Sequence, residues 1–304
     1  MNIKMSTSNF LLYGLLLMFV PFSVGAQLFE IRSENGHAGY LFGSLHDSVQ
    51  GVSIKSSSLT PLIEQSGIVI FETTGGVSSI DRFKGLKLAD GTSIYEVIPQ
   101  RLSKCVSDAF EDVSKASNFP EEVLSQKNLK PIVFAFSYLN YSTHRFNGKS
   151  VDSGYDEFIL NVAKGKKKIV ANLESSQEKI EILNKFSLED SIKIIENLCQ
   201  INEQFHRNKV LAESFQAIVD EYLIGNMNGL VKAHKKYYNT FQVSDDFFNL
   251  FWSQRNESMA IKIGKLVQKN SKPFVAIGAS HLGGYDGVLS LLIKRGFSVI
   301  PMSM

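Results

Sequence analysis

Little charge of one sign is available: 32 Lys and Arg against 30 Asp and Glu leave a formal net charge of +2. That balance, with no Lys/Arg stripe, argues against a nucleic-acid partner. The densest basic run, Lys164-Gly165-Lys166-Lys167-Lys168, reads as a solvated loop. Beyond residue 26 no apolar run approaches the roughly 20 residues that a membrane-spanning helix needs. No Gly/Ser/Pro-rich linker separates independent domains. Four familiar signatures are missing: H-E-x-x-H, Gly-x-Ser-x-Gly, the phosphate-binding loop and the dinucleotide fingerprint. Cysteine is scarce. The chain has two, Cys105 and Cys199, both on predicted helices. In an oxidising compartment they can pair; as two separate thiols they would act as small buried apolar residues.

What is present is an ordinary globular composition, 44% hydrophobic and 20% charged. The length carries one large domain or two modest ones. Residues 1–26 read as a signal peptide. Lys4 gives a positive start, Phe10 to Val20 is apolar apart from Tyr13 and Gly14, and Pro21 ends the run. Val24-Gly25-Ala26 supplies small residues for cleavage near Ala26. The mature chain is then 27–304, periplasmic or secreted. No Cys stands at the cleavage point to carry a lipid. An uncleaved signal would be the one route to a membrane.

Short apolar runs predict buried strands at Gly39–Phe42, Ile68–Phe71, Lys168–Leu173, Phe274–Ile277 and Phe297–Ile300, with a further one near Leu28 to Ile31. Helical periodicity covers Lys209 to Tyr222, Leu230 to Tyr237 and Asp245 to Gln268. Ser187-Leu188-Glu189-Asp190 predicts a capping box that opens a helix reaching about residue 207. The expected fold is mixed α/β. A central mixed sheet is assembled from N- and C-terminal strand segments, and a largely helical insert spans about 101–265 of a single domain.

Two strands run into the same pattern: Gly43-Ser44-Leu45-His46 and Gly278-Ala279-Ser280-His281. An internal duplication would explain the pair. With 22 Gly and six His in 304 residues, random placement gives about 0.4 Gly-x-x-His matches. Spacing alone is therefore weak, and context carries the weight. Each motif begins at the C-terminal end of an apolar strand, where open α/β sheets form ligand sites. Two further strands end on acids, Glu72 and Glu174. A carboxylate is costly to bury there without a partner.

Two imidazoles and one or two carboxylates at one edge suit a divalent metal that activates water. One carboxylate can instead serve as general base. Glu72 and Glu174 can also simply cap the turn and helix that follow them. Arg255-Asn256, on a helix just upstream of the second motif, can hold a substrate carboxylate or a site acid. The plain alternative for Arg255 is a helix-surface charge.

The sequence resembles the TraB/GumN family, which includes TIKI-type proteases. The matching pieces are Gly39 to His46, the strand ending on Glu72, Gly154-Tyr155-Asp156 with Ala163, and Leu173-Glu174 with Gln177. Arg255-Asn256, Gly278 to Gly284 and Val299-Ile300-Pro301 complete the set, in order from about 36 to 302. Around the first motif, Ser44-Leu45 and Asp47 depart mildly from the family's commoner Thr/Ser-x-His-Val/Leu.

The resemblance implies a metal-dependent peptidase favouring Mn or Co, with His46, His281 and Glu72 on the divalent ion; the donor set also admits Zn. Glu72 and Arg255 are the expected catalytic groups. Gly43, Gly278, Ser280, Asn256, Asp156 and Glu174 are expected to touch substrate or support the ligands. The wider fold relationship includes erythromycin-esterase-like hydrolases and ChaN-like haem-binding proteins. It therefore also allows a non-enzymatic peptide- or haem-binding protein.

Overall fold

The computed structural model describes residues 27–45, 52–73, 84–115, 127–147, 154–203 and 205–304. The predicted signal peptide and His46 lie outside them.

All six predicted strands form. They are β1 (Leu28–Arg32), β2 (Ala38–Ser44), β3 (Ile68–Phe71), β4 (Ile169–Asn172), β5 (Pro273–Gly278) and β6 (Ser298–Met302). They join one mixed sheet in the order β4-β3-β5-β2-β1-β6. β4, β3, β5 and β2 run parallel, while β1 is antiparallel to both β2 and β6. β5 is buried along its whole length, as its unbroken Pro-Phe-Val-Ala-Ile-Gly run requires of a central parallel strand.

Two strands are less buried than their apolar runs suggest. β4 and β6 form the sheet's edges, and Ile169 is 67% and Ile300 40% exposed. The sheet also draws on the middle of the chain. β4 lies within the largely helical stretch and pairs with β3.

The helices used below are α1 (Ser56–Gln65), α2 (Ile94–Val97), α3 (Ser103–Lys115), α4 (Pro131–Asn147), α5 (Tyr155–Gly165), α6 (Ser176–Leu183), α7 (Leu188–Glu203), α8 (Phe205–Leu223), α9 (Met227–Asn239), α10 (Asp245–Phe248), α11 (Gln254–Gln268) and α12 (Val288–Lys294). At the start of α7, Asp190 N–H donates to Ser187 Oγ at 3.0 Å, the cap that the sequence predicts. Cys105 and Cys199 are joined by a disulfide. It ties α3 to α7.

α10 and α11 are joined by a π-helical turn, Asn249–Ser253, whose wider pitch lets Gln254 N–H reach back to Asn249. Such turns recur at functional sites. The next helix buries one stripe: Arg255, Asn256, Met259, Ala260, Ile263, Gly264 and Val267. The spacing is helical, and it carries a charged residue inward with the apolar ones.

Candidate functional site

The four parallel strands end together. Ser44 of β2 pairs in register with Gly278 of β5, and Phe71 of β3 pairs with Asn172 of β4. The backbone pairing continues past the strands. Glu72 N–H donates to Ala276 O at 2.9 Å, and Glu174 N–H donates to Glu72 O at 3.0 Å. Two glutamates are thereby fixed on neighbouring strand ends, only 5% and 3% exposed.

Buried carboxylates require a counter-charge, and Arg255 supplies it. Arg255 Nε donates to Glu174 Oε1 at 2.8 Å, and Nη2 donates to Glu174 Oε2 at 2.6 Å and to Glu72 Oε1 at 2.5 Å. Nη1 reaches the Phe251 carbonyl at 3.2 Å and His281 Nε2 at 3.4 Å. Each of the five guanidinium N–H groups thus has an acceptor. Arg255 bridges two acids and a histidine, and at 5% exposed it is not a surface charge. Burial pulls its pKa down, but hydrogen bonding to Glu174 and the charges of Glu72 and Glu174 outweigh this and raise it.

Glu174 therefore does not cap the following helix. Ser175 does, accepting from Glu178 N–H in a capping box. Glu72 uses its second oxygen differently: Oε2 accepts Gly278 N–H at 3.0 Å. This links the third strand directly to the second motif.

His281 is 4% exposed. Asn256 Nδ2 donates to the Asp286 carbonyl at 2.9 Å, which turns Asn256 Oδ1 toward His281 Nδ1, 2.6 Å away. Nδ1 must then carry the proton. Nε2 then turns its lone pair to Arg255 Nη1 at 3.4 Å, with Glu72 Oε2 at 3.8 Å. The Trp252 ring flanks the imidazole, centre to centre 6.4 Å.

The remaining expected residues fall around this cluster. Gly43 is a packing glycine. A Cβ there would stand 2.5 Å from Leu282 Cδ1 and 3.1 Å from Ala279 Cα, so its bareness lets β2 lie against the turn of the second motif. Its carbonyl accepts Tyr222 Oη–H at 3.0 Å. Asp156 stands in the first turn of α5, and its charge acts on Tyr222, whose phenol is pushed up mainly by burial. Ser280 is half-buried. It lines a small pocket with His234, Lys235, Trp252, Asn256 and Asp286.

Two contributors escape the sequence reading. Asp286 supplies the carbonyl that orients Asn256, and its carboxylate accepts Ser253 Oγ–H at 2.5 Å. Lys179 Nζ lies 3.7 Å from Glu72 Oε1, on a side chain 40% exposed. Burial pulls its pKa down, with Glu72 opposing. Its signal was present, since position 179 is about one turn into the helix that starts after Glu174. Tyr238 is pushed up to about 12 by burial, against the lowering charge of Arg255.

The fold and site define a mixed α/β protein whose parallel strands converge on an arginine-bridged pair of buried glutamates beside a tautomer-fixed histidine. The chain belongs to the TraB/PrgY/gumN family, whose model matches residues 28–301. No curated protein and no solved structure matches it.

Proposed function

We propose that the chain is an exported metal-dependent hydrolase of the peptidase kind. The observation that carries this reading is the orientation of His281. A metal-binding imidazole presents one nitrogen's lone pair while a fixed acceptor holds the other N–H; the His281 Nε2 lone pair here also takes the 3.4 Å contact from Arg255 Nη1. Asn256 provides that acceptor at 2.6 Å.

The donor set is compatible with an ion. Two donors sharing one ion at 2.0–2.2 Å are at most about 4.4 Å apart, and His281 Nε2 lies 3.8 Å from Glu72 Oε2. Among the described residues no group of three His, Cys, Asp or Glu side chains forms a metal site. His281 and Glu72 therefore supply half a site, and His46, outside those residues, is the expected third donor. When bound, a divalent Mn, Co or Zn ion would polarise a scissile carbonyl and acidify water.

The protein's own groups prepare for that chemistry. Arg255 holds Glu72 Oε1, so Oε2 faces His281. Gly278 N–H fixes that oxygen's direction. Burial excludes bulk water and strengthens each of these interactions.

Export is favoured by the disulfide between Cys105 and Cys199, since such bonds persist in oxidising compartments. Among the described residues no helix is long and apolar enough to cross a membrane. A haem-binding role needs an accessible axial ligand, and His281 at 4% exposed does not offer one.

The test is metal analysis of purified protein together with peptidase assays under Mn, Co and Zn. Metal binding and metal-dependent hydrolysis, both lost in His281→Ala, are expected. No binding and no hydrolysis under all three metals would overturn the proposal.

A further inference from the structure

The small pocket lined by Ser280 and Asp286 has a chemistry of its own. Three of its lining residues adjoin His281. Asn256 is hydrogen-bonded to His281 Nδ1 at 2.6 Å, the Trp252 ring lies 6.4 Å from the imidazole, and Ser280 precedes it in the chain. A single layer of side chains thus separates the pocket from the candidate site.

The loop after the second motif supplies the pocket's acid, Asp286. Asn256 Nδ2 holds its carbonyl at 2.9 Å, and Ser253 Oγ–H donates to its Oδ2 at 2.5 Å. Just beyond it, a Cβ on Gly287 would stand 2.0 Å from the Gly283 carbonyl, so the loop closes tightly on itself. Asp286 is half-buried. Among the described residues its carboxylate has Ser253 as hydrogen-bond partner and forms no ion pair.

Three features favour a cation here over an anion. Asp286 brings a negative charge fixed on a tight loop. Trp252 forms part of the lining, and an indole attracts cations over its face. The interior leaves about 10 Å³ for the centre of a water-sized group, roughly one such sphere. An ammonium group matches that size, whereas a carboxylate, with two oxygens, exceeds it. Lys235 also lines the pocket, but it is exposed. Its Nζ stands 5.9 Å from the Phe248 ring centre instead of pairing with Asp286.

We infer that this pocket is an amine subsite: it takes the terminal ammonium of a peptide, paired with Asp286 and set against Trp252. At about pH 7 such a group, with a pKa of about 7.7–8.0, is mostly charged. The substrates of the hydrolase are then peptides with a free amino terminus. That last step rests on the hydrolase reading above; the binding does not.

The test is titration of the purified protein with leucinamide, which has the amine and no carboxylate, and with N-acetyl-leucine, which has the reverse. A chelator is present throughout, so no response depends on a bound metal. The readout is the emission of Trp252, the chain's one tryptophan. Leucinamide should give a saturable change and N-acetyl-leucine none. Asp286→Asn, which keeps an acceptor for Ser253, should weaken leucinamide binding roughly tenfold or more, since a charge-assisted contact is lost. Lys235→Gln should bind leucinamide at least as tightly as the wild type, because a like charge is removed.

No saturable response to leucinamide overturns the inference. So does a response to N-acetyl-leucine that Lys235→Gln weakens, which would mark a carboxylate site. The comparison of the two probes on the wild type decides the matter even if Asp286→Asn does not fold. Failure here leaves the hydrolase reading to its own metal and peptidase assays. Leucinamide binding without metal-dependent hydrolysis overturns that reading and keeps the amine subsite.

Discussion

Arg255 and Glu174 face each other through two parallel hydrogen bonds, 2.8 and 2.6 Å long, across 81 residues of sequence. The same guanidinium holds Glu72 at 2.5 Å. Removing it leaves two buried carboxylates with their main counter-charge gone. Arg255→Met should therefore destabilise the protein by about 3–5 kcal/mol, measured by urea unfolding. Adding Glu174→Gln to that variant should recover part of the loss. A loss no larger than that of an exposed arginine would contradict the geometry.

Asn256 fixes the proton of His281 on Nδ1. Asn256→Ala should release that constraint and weaken metal binding by about 10–100-fold, the usual range for partners that orient a ligand. Nitrogen NMR of the imidazole provides a separate check. The wild type should show the Nδ1–H tautomer, and the variant a mixture.

Two glycines are held by packing, with different neighbours. At Gly43 the closest atom to an added Cβ is the movable tip of Leu282; at Gly283 it is the Met227 carbonyl, 2.1 Å away. Gly43→Ala should cost about 1–3 kcal/mol, as overpacking does. Gly283→Ala should cost more, because backbone must move. Thermal unfolding of the two variants gives the order directly.

Glu178 lies just beyond the cluster. Its pKa is lowered from 4.5, first by the hydrogen bond from Lys262 and then by the Ser175 N–H. In the window between the lowered folded value and 4.5, the unfolded chain binds more protons, so stability rises with pH there. The stabilisation is complete above 4.5 and fades as pH falls through the folded value. The wild type should exceed Glu178→Gln by under about 1 kcal/mol at neutral pH, since the pair is partly exposed. The difference should vanish in acid.

The disulfide closes a loop with a sequence separation of 94. Replacing both Cys105 and Cys199 by Ser should lower stability by about 2–4 kcal/mol. Chemical denaturation with and without a reductant is the measurement.

The strand pattern was legible because apolar runs such as Phe274–Ile277 admit few alternatives. The same runs did not distinguish centre from edge, so Ile169 and Ile300 looked as buried as Val275. Arg255 could be read either as a surface charge or as a partner for acids. Its place on the Met259–Ile263 stripe was the local sign that it points inward. The cap at Ser175 was missed because Glu174 beside it offered a competing acid.

The sequence alone determined the strands, the family order of motifs and the acids at strand ends, because these depend on local composition and spacing. Tertiary structure decided which acid meets which base. β5 inserts between β2 and β3, and α11 returns from the far end of the chain, bringing Glu72, Glu174, Arg255 and His281 together. Their hydrogen bonds then fix a tautomer and pair buried charges. These properties depend on ångström distances between segments up to 209 positions apart (Glu72 to His281, 281 − 72), and local spacing carries no record of such distances.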